Sequence, residues 1–358
     1  MILSGGAGTR LRPITHTNAK QLVPIANKPI LFYGIEDMAA AGIRDIGIVV
    51  GETAPDVMDA VGDGTRFGVS VTYIHQSDPL GLAHCVQISR EFLGDDDFVM
   101  YLGDNMLQQG LQDFVERFAT QRGASAAGGP AAQILLSWVP DPQRFGVAAL
   151  NENGHVVHLV EKPLDPPSNL ALVGVYLFTA AIHVAVESIE PSARGELEIT
   201  DAIQWLIDND HTVLHEVLQG WWLDTGKKDP LLEANRRVLE GMERSVAGDI
   251  DEHSEIDGIV VVHPSAKVSN SHIRGPVIIG ADASIVDSYI GPFTAIAEGC
   301  EIASSEIENS VILEEAKILG VPRMVDSLIG RHAIVTRTKK RPRAARLLIG
   351  DHCSIDLD

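Results

Sequence analysis

After about residue 250, small aliphatic side chains return every six positions: Val262 and Val268, Ile273 and Ile279, Ile279 and Ile285. The series runs on through Ile290, Ile296 and Ile302, then Ile329 with Val335 and Ile349 with Ile355. Glycine often follows, as in Ile279-Gly280, Ile290-Gly291, Ile329-Gly330 and Ile349-Gly350. Neither a helical period of about 3.6 residues nor strand alternation gives this spacing, whereas a hexapeptide β-helix does. One coil cannot bury its aliphatic corners alone, so coils must stack at about 4.8 Å and share a core. Steps of five, from Ile285 to Ile290 and from Ile302 to Ile307, leave the repeat imperfect. An ordinary β-sandwich is the competing architecture for this stretch.

The preceding residues follow another rhythm. Met1 to Leu3, Ile46 to Val50, Val69 to Ile74 and Phe98 to Leu102 read as buried strands. Between them Ile30 to Ala41, Glu52 to Val61 and Leu82 to Phe92 read as helices, with Pro29 and Gly42 bracketing the first. Such alternation predicts a mostly parallel sheet covered on both faces, with ligands at the carboxyl ends of its strands. The change of period places one domain in residues 1–240, a connection in 241–257 and a second domain in 258–358.

Composition narrows the function. A net charge of −21 would repel a polyanion, which excludes nucleic acid as a partner. The basic run Arg337 to Arg346 dissents and reads as a solvated loop. No apolar run reaches the roughly 18 residues of a membrane span, and Met1-Ile2-Leu3 carries no signal-peptide pattern. Three scattered cysteines, Cys85, Cys300 and Cys353, form no metal spacing or disulfide framework, so a reducing cytoplasm is expected. The histidines show no metal spacing and receive no role, and those after residue 250 show no partner constellation.

The chemistry lies in the first 226 residues. Ser4-Gly5-Gly6-Ala7-Gly8-Thr9-Arg10 follows a strand and lacks both the dinucleotide and the P-loop spacing. Its glycines still let backbone N–H groups approach phosphate oxygens, while Arg10 and Lys20 supply positive charge. Asp104 in Leu102-Gly103-Asp104-Asn105 and Asp224 in Trp222-Leu223-Asp224-Thr225-Gly226 are hard carboxylate ligands suited to Mg²⁺. A lone aspartate after a strand is more often a cap or turn residue, so the surrounding motifs carry this assignment.

Those motifs, in order, are GGAGTRLRP (5–13), KQLVPIANKP (20–29), LGDN (102–105), RFGV (144–147), EKP (161–163), RGELEITDAI (194–203) and WLDTG (222–226). The whole chain resembles the sugar-1-phosphate nucleotidylyltransferases. Within them it is most similar to the glucose-1-phosphate thymidylyltransferases of the long form, from actinomycete antibiotic-sugar pathways. That resemblance implies a Rossmann-like α/β domain with a mostly parallel sheet, followed by a left-handed parallel β-helix. It departs from the family pattern at its start, where the first strand begins at Met1 and is short.

The resemblance implies Mg²⁺-dependent joining of dTTP and glucose 1-phosphate to give dTDP-glucose and pyrophosphate. Gly5, Gly6, Gly8, Thr9 and Arg10 would cradle the triphosphate, with Lys20 beside it. Gln76 and Gly81 would face the pyrimidine, and Asp104 and Asp224 would hold Mg²⁺. Gly146, Glu161, Lys162, Gly174 and Arg194 would surround the sugar phosphate. The β-helix would serve assembly or regulation, and the expected assembly is a homo-oligomer. Another base, another sugar or cyclitol phosphate, a non-catalytic subunit and an acyltransferase site in the β-helix are the competing readings.

Overall fold

Four apolar runs of the N-terminal half pair in parallel, as the strand–helix alternation requires. The computed structural model describes residues 1–6, 8–16, 19–124, 129–337 and 352–356. Of the basic segment only Arg337 is among these, and Ile349 also lies outside them. In chain order the strands up to the repeat are β1 (Ile2–Ser4), β2 (Pro24–Ile25), β3 (Lys28–Pro29), β4 (Asp45–Val50), β5 (Ser70–His75), β6 (Phe98–Leu102) and β7 (Asn105–Leu107). They continue with β8 (Ala132–Trp138), β9 (Gly146–Leu150), β10 (Val156–Glu161), β11 (Leu170–Phe178), β12 (Val213–Val217) and β13 (Trp222–Asp224). Two compact units emerge: Met1–Ala7 with Leu31–Trp222, and Gly8–Ile30 with Leu223–Asp358.

The first unit is built on a nine-stranded sheet. Its parallel part runs β5-β4-β1-β6, with Ile2 opposite Ile48 on one side and Tyr101 on the other. Beyond β6 the character changes, because β11 runs antiparallel to β6, β8 and β9. All nine residues of β11 are buried, which explains its uninterrupted apolar sequence. The helix Ile199–Asp208 buries Ile199, Ala202, Ile203 and Leu206, a spacing that puts one stripe on the core. The helix expected over Leu82 to Phe92 is two, Leu82–Ile88 and Arg90–Leu93. Ser89 separates them, its hydroxyl donating back to the Cys85 carbonyl at 2.7 Å. Because parallel strands end on the same side, Gly5 after β1, Gln76 after β5 and Gly103 after β6 share one sheet edge.

The second unit holds the coils. Its strands form three parallel stacks, as a left-handed β-helix of hexapeptides leads one to expect. Val260 pairs with Val277 and Val277 with Thr294, so these coils take 17 residues each rather than three full hexapeptides. The missing residue falls at one corner, between Val268 and Ile273 and again between Ile285 and Ile290. There Asn270, Asp287 and Ser304 take positive φ, and Asn270 donates to Asp287 at 2.6 Å. Asparagine and aspartate tolerate that backbone best among residues with a side chain. The next residue is a serine that ties coil to coil: Ser288 N to Ser271 Oγ at 3.0 Å and Ser305 N to Ser288 Oγ at 3.2 Å. The five-residue steps are thus a built corner. Inside the stack Ile273, Ile285, Ile290, Ile296, Ile307 and Ile318 are fully buried.

With Ile285 at 0 % exposure, Ile285→Ala should cost about 2–5 kcal/mol through lost burial and the cavity left behind. Ser288→Ala should cost about 1–3 kcal/mol, because the Ser305 N–H loses its buried acceptor. Guanidinium unfolding followed by circular dichroism measures both. Midpoints equal to wild type would show that neither contact holds the stack.

Candidate functional site

In the first unit, the sheet edge brings Gly5 against Gln76: a Cβ on Gly5 would lie 3.3 Å from Gln76 Oε1. The Gln76 amide is held by His84 Nδ1 at 3.1 Å and reaches toward the Gly81 carbonyl at 3.5 Å. Gly81 has φ +107, and a Cβ there would meet the Leu197 carbonyl oxygen at 2.4 Å. Only glycine allows that approach, and it seats the helix that carries His84. Burial pushes the neighbouring Cys85 thiol up to about 12, so it stays protonated. Gly6 is exposed beyond this edge.

Asp104 follows β6, where Gly103 N donates to the Leu3 carbonyl at 3.0 Å. Its Oδ1 accepts from Asn105 Nδ2 at 3.0 Å, and Asn105 is buried. The Asn105 backbone carbonyl accepts from the Tyr101 hydroxyl at 2.9 Å, and its Oδ1 accepts from the Trp222 indole N–H. Burial raises the Tyr101 phenol well above its ordinary value, with Asp37 and Asp104 adding to the shift. The Trp222 ring packs 5.2 Å from that of Phe145, whose carbonyl accepts the Lys162 N–H at 3.0 Å. Asp104 and Lys162, distant in sequence, are thereby tied into one contact chain. Gly174 belongs to it too, since a Cβ there would meet Leu102 at 2.6 Å and Asn105 Nδ2 at 2.9 Å.

Three of the residues expected around the sugar phosphate form a charged cluster. Lys162 Nζ lies 2.8 Å from Glu161 Oε1, and Arg194 Nη2 lies 3.8 Å from the same oxygen. Lys162 takes φ +42 between Glu161 and Pro163, a conformation that a non-glycine residue pays strain to adopt. Gly146 pairs with Glu161 across the β9–β10 ladder, with Thr200 alongside. Glu198 was not anticipated from sequence, although it sits inside the RGELEITDAI motif. It is 4 % exposed and grips Arg194 through contacts of 2.8, 2.9 and 3.1 Å. Burial works against the Arg194 charge, but the Glu198 hydrogen bonds together with the charges of Glu198, Glu196 and Glu161 outweigh it and raise the guanidinium above its ordinary value. Thr200 Oγ1 completes the shell at 3.4 Å from Glu161 Oε2.

In the second unit, Thr9 and Arg10 lie exposed on a short 3₁₀ turn after Gly8, whose carbonyl accepts from Thr15 Oγ1 at 2.7 Å. Gly8 also lies against Lys20, with 2.9 Å between its would-be Cβ and Lys20 Cβ. Lys20 Nζ is 3.7 Å from Asp224 Oδ1, and the Gly226 N–H donates to that oxygen at 3.0 Å. Gly226 leaves the space for this pair, since its Cβ would come within 2.8 Å of Lys20 Nζ. Asp104 in the first unit and Asp224 in the second each offer hard carboxylate oxygens, the ligand type that Mg²⁺ takes. Histidines after residue 250 do have partners, contrary to expectation: His272 Nε2 meets Asp257 at 2.9 Å and His332 meets Glu315 at 3.1 Å. Both pairs are largely solvent-facing contacts between coils.

A family model described as Nucleotidyl transferase matches residues 1–241. A glucose-1-phosphate thymidylyltransferase of Streptomyces antibioticus is 56 % identical over 357 residues, covering 100 % of this chain and 99 % of the relative. One from Streptomyces griseus is 55 % identical, covering 98 % and 97 %. A solved structure from Bacillus anthracis, described as a candidate glucose-1-phosphate thymidylyltransferase in complex with a sucrose, is 34 % identical. It superposes with a TM-score of 0.61 over 68 % of this chain and 96 % of that one.

Burial first, then the charges of Glu198 and Glu161, raise the Asp201 carboxyl above its ordinary value of 3.8. A carboxyl raised in the folded state favours folding while protonated and loses that benefit as pH rises through its raised value. Asp201→Asn should therefore raise the thermal midpoint at pH 7, with the gain vanishing below about pH 3.8. A lower midpoint for the variant at pH 7 would contradict the repulsion inferred here.

Proposed function

The chain belongs to the nucleotidyl transferase family, and we propose that it transfers a thymidylyl group from dTTP to glucose 1-phosphate, giving dTDP-glucose and pyrophosphate. The observation that carries this is full-length identity of 56 % and 55 % to two glucose-1-phosphate thymidylyltransferases. An oxygen of the sugar phosphate attacks the α-phosphorus, a new P–O bond forms, and the α–β phosphoanhydride breaks to release pyrophosphate. The attacking oxygen is already anionic, so no covalent enzyme intermediate is required. The obstacle is repulsion between two polyanions, and catalysis reduces to positioning and charge stabilisation.

The family resemblance supplies the roles, and the contacts above are compatible with them. Gly5, Gly6, Gly8, Thr9 and Arg10 hold the triphosphate, and Lys20 covers the charge that develops on the transferred and leaving phosphates. Gln76 and Gly81 face the thymine, the amide of Gln76 being able both to donate and to accept. Glu161 accepts from sugar hydroxyls, Lys162 and Arg194 balance the sugar phosphate, and Gly146 and Gly174 give it room. Asp104 and Asp224 hold Mg²⁺, which supplies charge neutralisation on the phosphates when bound. Residues 1–240 carry this chemistry, 241–257 connect, and 258–358 form the β-helix. The protein acts in the cytoplasm as a homo-oligomer, and its product enters activated-sugar and antibiotic biosynthesis. No described helix is long and apolar enough to cross a membrane.

Pyrophosphate release with glucose 1-phosphate and each common NTP and dNTP tests the assignment. Thymine and uracil differ by a methyl group worth about 0.8 kcal/mol when buried, or roughly fourfold. Hence dTTP should be preferred, UTP used detectably and purine nucleotides poorly. A preference for ATP or GTP would sink the thymidylyl assignment.

Asp104→Asn and Asp224→Asn keep the side-chain shape and remove the charge. Each should lower turnover at limiting Mg²⁺ by at least about 10²-fold. Near-normal rates for either variant would remove that residue from the metal site.

A further inference from the structure

Two asparagines tie the hairpin of β2 and β3 to the coils. β2 and β3 are joined by a two-residue turn, Ala26-Asn27, in which both residues take positive φ, +47 and +61. Such a turn matches the twist of a hairpin, but it suits asparagine far better than alanine, so Ala26 is strained. Two contacts hold it. Asn27 Nδ2 donates to the Ile296 carbonyl at 2.7 Å, and the Ala26 N–H donates to Asn235 Oδ1 at 2.9 Å. Asn235 is 0 % exposed, and its own Nδ2 donates to the Phe293 carbonyl at 2.9 Å. Both carbonyls belong to one edge of the coil stack, where Ile296 is fully buried and Arg236 covers the Phe293 ring at 4.7 Å.

From the hairpin the path to Lys20 is short. Ile30 N closes the hairpin on the Val23 carbonyl at 3.2 Å, and Val23 N donates to the Lys20 carbonyl at 3.2 Å. Gln21, Leu22 and Val23 are buried, so this stretch is packed on its surroundings and close packing transmits a shift at the tip. On the other side of the pair, Asp224 precedes the helix Lys228–Glu240, which carries Asn235. The same helix reaches the coils again through Lys228 Nζ and the Asp326 carbonyl at 3.0 Å. Lys20 and Asp224 are therefore both referenced to the coil backbone, which stacking makes rigid.

We propose that the β-helix positions Lys20 for phosphate chemistry, with Asn27 and Asn235 as the positioning residues that fix the Pro24–Pro29 hairpin to the Phe293 and Ile296 carbonyls. This gives the coils a part in turnover beyond assembly or regulation, and it rests on the thymidylyl-transfer reading above.

The test uses the full chain. Asn27→Gly keeps positive φ accessible and deletes the amide, while Asn27→Asp keeps a turn-forming side chain and replaces the donor with an anionic acceptor that the Ile296 carbonyl repels. Both should lower kcat by about tenfold, as small displacements of a charge-stabilising group do. The KM for glucose 1-phosphate should stay within about twofold of wild type, because Lys20 is not among the groups that hold that substrate. The thermal midpoint should fall by no more than a few degrees, the scale of one part-buried hydrogen bond. In a Lys20→Ala background the same substitutions should add almost nothing, since the residue they act through is gone. Wild-type kcat in either variant, or an equal loss in both backgrounds, overturns the proposal. Failure of the wild-type protein to release pyrophosphate from dTTP and glucose 1-phosphate would instead overturn the underlying function.

Discussion

A β-helix coil cannot shield its own aliphatic corners, so each coil of the second unit exists only against its neighbours. That constraint fixes the backbone carbonyls along the stack edges more firmly than any loop could. The Phe293 and Ile296 carbonyls inherit this rigidity and pass it to the Ala26-Asn27 turn through Asn235 and Asn27. The turn passes it to Lys20, and Lys20 meets Asp224 at 3.7 Å. Dispersion and burial in the coils thereby become geometry at a charged pair, with hydrogen bonds as the coupling. Asn235 is buried because it has two partners to satisfy, and an apolar residue there would leave an N–H and a carbonyl unmatched.

Charge is managed by local pairing. The chain carries −21 overall, yet the chemistry proposed for it needs cations around two polyanions. Two unit charges 4 Å apart repel by about 4 kcal/mol at an effective dielectric near 20. Lys20, Lys162 and Arg194 each sit against a carboxylate: Asp224, Glu161 and Glu198. Partly exposed pairs add little to stability, so their value lies in orientation. Glu198 differs, being almost fully buried and bonded to Arg194 from several sides. Removing one member of such a pair leaves a buried charge without compensation.

In the first unit the same economy works through glycine and one amide. Gly81 admits the Leu197 backbone, and Gly174 admits Leu102 and Asn105. Asn105 then links Asp104, Tyr101 and Trp222. Two positions assigned to ligand contact by resemblance thus have packing reasons of their own, and the two demands are compatible. A glycine that lets backbone or side chain approach closely also leaves open space on its other side.

Hydrophobic period marked the parallel strand–helix region and the coil repeat as different architectures, because burying one face of a strand or one corner of a coil forces a fixed spacing on the chain. The motifs that carry the family resemblance marked Asp104, Lys162, Arg194 and Asp224, since an isolated carboxylate or cation beside a turn is more often a cap or a solvated charge. The sequence showed the five-residue steps only as irregularities. Stacking made them corners, because a positive-φ residue followed by a bonding serine works only beside another coil. Nor could sequence reveal the antiparallel half of the sheet around β11, whose apolar run suits either direction. Asn105 and Asn235 were unreadable because their partners Trp222, Ala26 and Phe293 lie far along the chain. Glu198, by contrast, lies four residues from Arg194, and only its burial distinguishes it. Only tertiary structure assigned Gly8–Ile30 to the same compact unit as the coils, for the chain meets them again after some two hundred residues. Local sequence records which groups can react, and long-range packing decides which of them are held still.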